Sequence, residues 1–117
     1  MSSSSLQELT AKVVAFRDAR DWKQFHNPKD CALSLVLEAT ELLEIFQWKN
    51  GVEVEAVASE RKKEIADELA DVVYWALLIA HDQGIDLAKA MRDKMAENEQ
   101  RYPADKARGT SKKYTEL

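Results

Sequence analysis

Two segments carry the strongest helical pattern, Leu35-Val-Leu-Glu-Ala-Thr-Glu-Leu-Leu-Glu-Ile-Phe-Gln-Trp48 and Asp67-Glu-Leu-Ala-Asp-Val-Val-Tyr-Trp75. In the first segment, Leu35, Leu42 and Ile45 recur at the spacing of one helix face. Glu38 falls inside that apolar arc, and Glu68 takes the equivalent place in the second segment, beside the position of Trp75. Both segments therefore predict amphipathic helices whose apolar faces carry carboxylates.

Start and stop signals around these segments predict four helices. Their predicted limits are Ser5 to about Asp21, Asn27 to Trp48, Ser59 to Gly84, and Asp86 to about Gln100. Residues Val52 to Ala58 are predicted to be a polar connector, with Ser59 as the cap of the third helix. Four helices with short connections favour an all-α fold, an antiparallel four-helix bundle.

The length of 117 residues is that of one domain. We expect a disordered N-terminus over residues 1–4, a helical domain over residues 5–103 and a polar tail over residues 104–117. The formal charge of −4 argues against a dedicated binder of DNA or RNA. Three glycines and two prolines are too few for a β-sandwich or for glycine-rich phosphate loops.

The cysteine content and the length of the apolar runs indicate where in the cell the protein is expected to be located. Cys31 is the single cysteine, so an internal disulfide and a structural zinc site are excluded. The longest apolar run, Val72 to Ala80, is far shorter than the roughly 20 residues of a membrane span. Residues 1–5 have neither the basic nor the apolar region of a signal peptide. We therefore expect a cytoplasmic protein without a membrane partner.

Acidic residues occur in two pairs at helical spacing, Glu38 with Glu41 and Glu68 with Asp71. Residues three apart lie on one helix face, so each pair can converge on one point. Such pairs are most often solvated surface, but carboxylates on an apolar stripe are costly unless they are paired or bind metal. No matching Lys or Arg lies on these stripes. An oxygen-only site is the kind that Mg²⁺ or Mn²⁺ prefers, whereas a di-iron bundle would need Glu-x-x-His spacing, which is absent.

Aromatic residues near the acidic pairs suggest a second element of a site. Trp22, Trp48 and Trp75 can each be explained by core packing, or together by a stacking pocket for a nucleobase. Carboxylates beside aromatic rings indicate a nucleotide ligand. Further candidate contacts, which are as easily explained by a turn or by solvated surface, are His26, Lys94 and Asn98.

Several motifs resemble those of one known family. They are Trp22-Lys-Gln-Phe-His26, Leu35 to Trp48, Asp67-Glu-Leu-Ala-Asp-Val72, Lys94-Met95, Asn98, Arg101-Tyr-Pro103 and Ser111-Lys-Lys-Tyr-Thr-Glu-Leu117. Together they are similar to the all-α nucleoside triphosphate pyrophosphohydrolases of the MazG-like superfamily, and closest to its dCTP pyrophosphatase branch. The resemblance extends over nearly the whole chain.

The resemblance implies roles for particular residues and an oligomeric active form. It implies that Mg²⁺ binds to Glu38, Glu41, Glu68 and Asp71. It implies that the base pocket is lined by Trp22, Lys23, Gln24, Phe25, His26, Trp48 and Trp75. This chain has Leu37 where the superfamily often has a second Glu, and it has Val13 and Trp75 where the dCTP branch has His and Tyr. The last two differences concern recognition of the base.

We therefore predict a Mg²⁺-dependent enzyme that hydrolyses a nucleoside triphosphate, dCTP or a modified pyrimidine nucleotide, to a monophosphate and pyrophosphate. Glu41, with Glu38, is the candidate for the catalytic base, and Lys94 and Asn98 are candidate contacts to phosphate and sugar. The alternatives are a non-catalytic helical interaction module and a pyrophosphohydrolase for another triphosphate, such as phosphoribosyl-ATP. Val36 and Leu43 lie outside the Glu38 arc, so we also expect a homodimer or homotetramer.

Overall fold

The computed structural model describes residues 5–117, and this part of the chain contains helices and no strand. The α-helices are α1 (Leu6–Ala19), α2 (Pro28–Phe46), α3 (Val52–Glu60), α4 (Lys62–Asp82), α5 (Leu87–Arg101) and α6 (Ala104–Ala107). Two 3-10 helices span Lys23–Phe25 and Tyr114–Glu116. The all-α prediction is confirmed, whereas the predicted disorder of residues 1–4 lies outside the described residues.

Three predicted capping residues begin helices in the structure. The side chains of Ser5, Asn27 and Asp86 accept hydrogen bonds from backbone N–H groups at 3.1, 2.8 and 3.1 Å. Each bond satisfies one of the N–H groups that a first helical turn leaves without a partner. The capping signals therefore place the starts of α1, α2 and α5 correctly.

The polar connector predicted over Val52–Ala58 is wrong, because these residues belong to α3. Val54, Val57 and Ala58 have the spacing of one helix face, and Val57 is buried. Ser59 lies inside α3, so its predicted capping role is also wrong. The chain breaks instead at Arg61, where φ is −110° and ψ is 34°, and α4 begins at the next residue.

The second helix ends earlier than predicted, at Phe46 instead of Trp48. Gln47 turns to an extended conformation with ψ of 134°, and Trp48 then has a left-handed φ of 71°. The first helix also ends two residues early, at Ala19, before the left-handed Asp21. Both differences arise from backbone dihedrals that hydrophobic periodicity does not predict.

The described residues divide into two compact units, one up to Gly84 and one from Ile85 to Leu117. In the first unit, α2 runs antiparallel to α4, since Arg61 at the start of α4 donates to the Ile45 carbonyl near the end of α2 at 3.5 Å. Helix α1 packs on α4, and Arg17 bridges the two. The buried apolar residues of this unit are Cys31, Ile45, Val57, Leu77, Leu78 and Ala80.

The second unit consists of α5 and the C-terminal segment. The guanidinium of Arg101 lies 4.7 Å from the ring centre of Tyr114, and the rings of Tyr102 and Tyr114 meet edge to face at 6.0 Å. The stretch predicted to be a polar tail therefore includes α6 and the second 3-10 helix. Across residues 5–117, no helix combines the length and the apolar composition that crossing a bilayer requires.

Candidate metal and nucleotide site

Three of the four predicted metal ligands meet between α2 and α4. Glu38, Glu41 and Glu68 each offer one carboxylate oxygen, and these oxygens lie within 4.8 Å of one another. Glu38 and Glu68 are half-buried and Glu41 is exposed. Asp71, one helical turn beyond Glu68, is exposed and does not join this group of three. The antiparallel packing of the two helices therefore brings the Glu38 and Glu41 pair of α2 together with Glu68 of α4.

Two of the three carboxyl groups, those of Glu38 and Glu68, have raised pKa values. Burial, the adjacent Glu41 carboxyl and the charges of Asp71 and Glu68 raise the pKa of Glu38 to about 7. Burial and the same Glu41 carboxyl also raise the pKa of Glu68. Within residues 5–117, no Lys or Arg forms an ion pair with any of the three. The group is therefore an uncompensated patch of negative charge.

Two buried oxygens of this group have no hydrogen-bond partner. They are the Oε2 atoms of Glu38 and Glu68. A buried carboxylate oxygen without a partner carries a desolvation cost that coordination to a cation removes. Three carboxylates with oxygen atoms this close match the hard-ligand preference of Mg²⁺ and similar divalent ions. The residues present therefore fit a divalent metal ion.

A cavity of about 490 Å³ adjoins the carboxylates. Most of its lining is aromatic or aliphatic, and three of the lining residues are charged. The lining residues are Lys12, Val13, Phe16, Trp22, Glu38, Asp71, Tyr74 and Trp75. The volume is within the range of small-molecule sites, which are mostly apolar with a few placed polar groups. Glu38 belongs both to this cavity and to the carboxylate group. A ligand in the cavity would therefore lie directly beside the candidate metal site.

The aromatic side chains around this cavity form a connected series. The ring of Phe16 meets that of Trp22 at 5.8 Å and that of Tyr74 at 6.2 Å. Tyr74 meets Trp75 at 5.1 Å, and Trp75 meets His26 at 5.1 Å. All four contacts are edge to face, which is a favoured geometry for aromatic pairs. The series fixes the two tryptophans in the cavity wall.

A second, acidic cavity of about 380 Å³ lies on the Glu41 and Glu68 side of the carboxylate group. Its other lining residues are Glu44, Ile45, Arg61, Glu64 and Asp67. Arg61 is the cation of this lining, and it is engaged in an ion pair with Glu64. Arg61 therefore does not neutralise Glu41 or Glu68.

The predicted binding residues fall into separate places. Trp22 and Trp75 line the aromatic cavity, and His26 lies against Trp75. Trp48 is 85% exposed and lines neither cavity. The others are also outside both linings: Lys23, Gln24 and Phe25 in the 3-10 helix, and Lys94 and Asn98 on α5 in the second unit. The structure thus brings two of the predicted binding residues together with Glu38.

Sequence reasoning did not single out several residues of the cavity lining. Phe16 lies at helical spacing from Val13 on α1, and this spacing is the signal that the sequence offers for it, whereas Val13 stands out in the sequence only as a difference from the dCTP branch. Tyr74 follows Val73 in an apolar run, where an aromatic residue is ordinary core. Lys12 has no distinguishing pattern, since a single lysine on a surface helix is common.

A profile of the MazG-like family matches residues 33–117, a range that includes most of α2, all of α4 and all four acidic residues of the predicted metal site. The chain belongs to the MazG-like family. The resemblance inferred from the sequence motifs is thereby confirmed, and it extends to individual relatives.

Two curated proteins named dCTP pyrophosphatase 1 are similar to this chain over 115 residues, 97% of its length and 68% of theirs. The protein from Rattus norvegicus is 39% identical and the one from Homo sapiens is 38% identical. A crystal structure of a pyrophosphatase from Archaeoglobus fulgidus superposes with a TM-score of 0.79 at 39% identity. That match covers 84% of this chain and 92% of the archaeal chain.

Proposed function

We propose that this protein is a Mg²⁺-dependent nucleoside triphosphate pyrophosphohydrolase, and that its substrate is dCTP or a modified pyrimidine nucleotide. The observation that carries the proposal is the uncompensated group of Glu38, Glu41 and Glu68 beside an aromatic cavity. Membership of the MazG-like family and similarity to proteins named dCTP pyrophosphatase 1 support the same reaction. Mn²⁺ is an alternative ion, because it accepts the same hard oxygen ligands.

The carboxylates would hold the metal, with Asp71 as the fourth ligand one turn beyond Glu68. A bound divalent ion supplies positive charge for the triphosphate and acidity for a nearby water molecule. An acidic protein of net charge −4 can thereby accept an anionic substrate. Without that charge, the carboxylates would repel the phosphates.

The reaction requires a base, and Glu41 is the candidate because it is the exposed member of the group. Glu41 takes a proton from water, the water oxygen bonds to the α-phosphorus, and the bond from that phosphorus to the bridging oxygen of the β-phosphate breaks. The products are a nucleoside monophosphate and pyrophosphate. Glu38 lines the cavity and belongs to the carboxylate group, so a cation that it holds would lie at the edge of the cavity and would offset the charge of the triphosphate there.

The aromatic cavity is the proposed site of the nucleobase. Trp22 and Trp75 present ring surfaces, and base stacking on aromatic rings does not need a positively charged surface. The sequence motifs also predict contacts that stay predictions, namely Lys23, Gln24, Phe25, His26, Trp48, Lys94 and Asn98, and for His26 we propose an indirect role below. The cytoplasmic location also stays a prediction, based on the single cysteine, Cys31.

A homodimer or homotetramer is the proposed active form. Val36 and Leu43 on α2 are 56% and 67% exposed in the single chain, as their positions outside the Glu38 arc predict. Apolar side chains grouped on one helix favour coverage by another surface. Light scattering coupled to size-exclusion chromatography measures the assembly directly, and a strict monomer would contradict this part of the proposal.

Product analysis tests the proposed reaction. The purified protein is incubated with Mg²⁺ and each common ribo- and deoxyribonucleoside triphosphate, and the products are separated by ion-exchange chromatography. We expect monophosphate plus pyrophosphate, with a pyrimidine substrate preferred. Diphosphate plus orthophosphate would contradict the bond assignment.

Two matched variants tie that activity to the site. Glu38→Gln should lower turnover by about 100-fold or more, because it removes a charge from the metal set while preserving size. Glu60→Gln, an exposed change at the end of α3, should leave turnover unchanged. Turnover that survives Glu38→Gln would overturn the assignment. A protein without turnover and without a metal-dependent thermal shift would instead favour an interaction module.

A further inference from the structure

Trp75 in the cavity wall is held between two other rings. Tyr74 approaches it at 5.1 Å with an interplanar angle of 85°, and His26 approaches it at 5.1 Å with an angle of 64°. Tyr74 is the neighbouring residue on α4, so its position follows from the helix itself. His26 comes from the connector between α1 and α2, and it is the contact that depends on tertiary structure.

In the described residues, the structure shows no role for the His26 side chain other than its contact with Trp75. Its Nδ1 atom is buried without a hydrogen-bond partner, and the residue is absent from the cavity lining. Burial, followed by the charge of nearby Arg17, lowers the pKa of His26 below its usual value. The neutral imidazole that results suits packing against an aromatic ring.

A short rigid segment carries His26 to this place. The N–H of Phe25 donates to the Trp22 carbonyl at 3.0 Å, and the N–H of His26 donates to the Lys23 carbonyl at 2.9 Å. Trp22, at the start of the segment, lines the cavity directly, whereas His26, at its end, contacts Trp75. The segment around this one 3-10 turn therefore contributes Trp22 to the cavity wall and places His26 against Trp75, which also lines the cavity.

We propose that His26 is a positioning residue, which holds the Trp75 ring in the orientation that forms the wall of the aromatic cavity. The proposal rests on the proposed function in one respect, namely that a nucleobase binds against this wall. It differs from the direct substrate contact that the motif resemblance implies for His26. A positioning residue acts only through Trp75, so removing its contact should weaken substrate binding without changing the chemical step.

Steady-state kinetics of His26→Ala provides the first test. An edge-to-face aromatic contact corresponds to about a two- to twelvefold change in an equilibrium constant. We expect KM to rise within this range while kcat changes by less than about twofold. His26→Phe keeps a ring against Trp75 and should restore KM, whereas His81→Ala, at the other and exposed histidine, should have no effect. An unchanged KM in His26→Ala, or a KM that Phe does not restore, would overturn the proposal.

A double-mutant cycle separates positioning from direct contact. In a Trp75→Ala background, His26→Ala should add no further increase in KM, because the residue through which it acts is gone. A direct contact between the imidazole and the nucleotide would keep its full effect in that background, and this result would also overturn the proposal. If His26→Ala does not fold, the same comparison is made with His26→Leu, which fills the space without an aromatic ring.

A spectroscopic readout keeps the inference independent of turnover. The indole N–H signal of Trp75 is assigned by its loss in Trp75→Phe and followed by two-dimensional NMR of the full chain without nucleotide. His26→Ala should shift this signal, since the ring that lies 5.1 Å away is removed, and His81→Ala should not. A shift in a protein that hydrolyses no triphosphate would refute the proposed function alone. An unmoved signal would refute the positioning role alone.

Discussion

Two groups of charge lie between the helices of the first unit, and only one of them is balanced. The guanidinium of Arg17 is 1% exposed and donates to Asp82 at 2.7 Å and to Asp18 at 3.3 Å. The group of Glu38, Glu41 and Glu68 has three acidic side chains and forms no ion pair with any Lys or Arg of residues 5–117. Arg17 supplies the counter-charge of Asp82, although Asp82 Oδ1 has no hydrogen-bond partner, whereas a counter-charge for the three carboxylates would have to come from a bound cation. The first group is therefore an ionic contact that supports the fold, and the second is the one that we propose binds a cation.

Removing one partner of the balanced group should have the largest effect on stability. Asp82→Ala leaves the buried Arg17 charge without its main partner, and such a loss costs about 3–5 kcal/mol. Chemical denaturation followed by circular dichroism measures the change. Asp18→Ala is the matched control, because Asp18 is 53% exposed and exposed pairs contribute about 0–1 kcal/mol. Equal losses in the two variants would show that burial does not distinguish these pairs.

Binding of a cation to the group of Glu38, Glu41 and Glu68 should have the next largest effect on stability. Ligand binding to the folded state alone stabilises it by about 2.7 kcal/mol at a concentration 100 times Kd. We therefore expect Mg²⁺ to raise the Tm of the wild-type protein after treatment with a chelator. Glu68→Gln should lose most of this increase, and Glu60→Gln should keep it. An equal increase in all three proteins would place the metal elsewhere.

Neutralising one carboxylate should stabilise the metal-free protein, by a smaller amount. The pKa of Glu38 is raised from 4.5 to about 7 in the folded state, so that state holds a proton that the unfolded chain has released between these values. Stability therefore falls as the pH rises across this window. Glu38→Gln removes the contribution of Glu38 to this dependence, although Glu68 keeps its own, and should stabilise the metal-free protein by about 1–2 kcal/mol above pH 7. The same slope in both proteins, in denaturation series with a chelator, would contradict this account.

The balanced group has the opposite pH dependence. Arg17 holds the pKa of Asp82 below its usual 3.8, so the unfolded chain binds a proton first as the pH falls. The contribution of Asp82 to stability is therefore present above this value and is lost as the pH falls through the folded pKa. A fall in pH therefore lowers the contribution of Asp82 to stability, whereas it raises that of Glu38.

The sequence was sufficient to predict α1, α2, α4 and α5 and the carboxylates between α2 and α4. The Glu38 arc in α2 and the equivalent arc in α4 predicted inward-facing acids, because helical periodicity alone fixes which residues share a face. Helix α3 was missed because its first turn contains two glutamates, Glu53 and Glu55, and its apolar face is marked only by Val54, Val57 and Ala58. Short helices of this kind are stabilised by packing rather than by propensity.

Tertiary contacts account for what the sequence left unpredicted. Nothing in the sequence pairs Arg17 with Asp82, which is 65 residues away. Likewise, the series from Trp22 through Phe16, Tyr74 and Trp75 to His26 joins three separate segments, and its ring angles depend on how α1 and α4 pack. Periodicity predicts which face a residue occupies, but it does not predict which residue lies opposite.

The connector that carries Trp22 and His26 also limits how this cavity can evolve. Its two useful side chains are separated by one 3-10 turn, Lys23–Phe25. An inserted or deleted residue would move Trp22 and the support of Trp75 together, so changes in loop length would damage both walls in one step. New ligand preferences in this lineage should therefore arise by side-chain exchange on α1 and α4, at positions such as Val13, while the length of the connector stays constant.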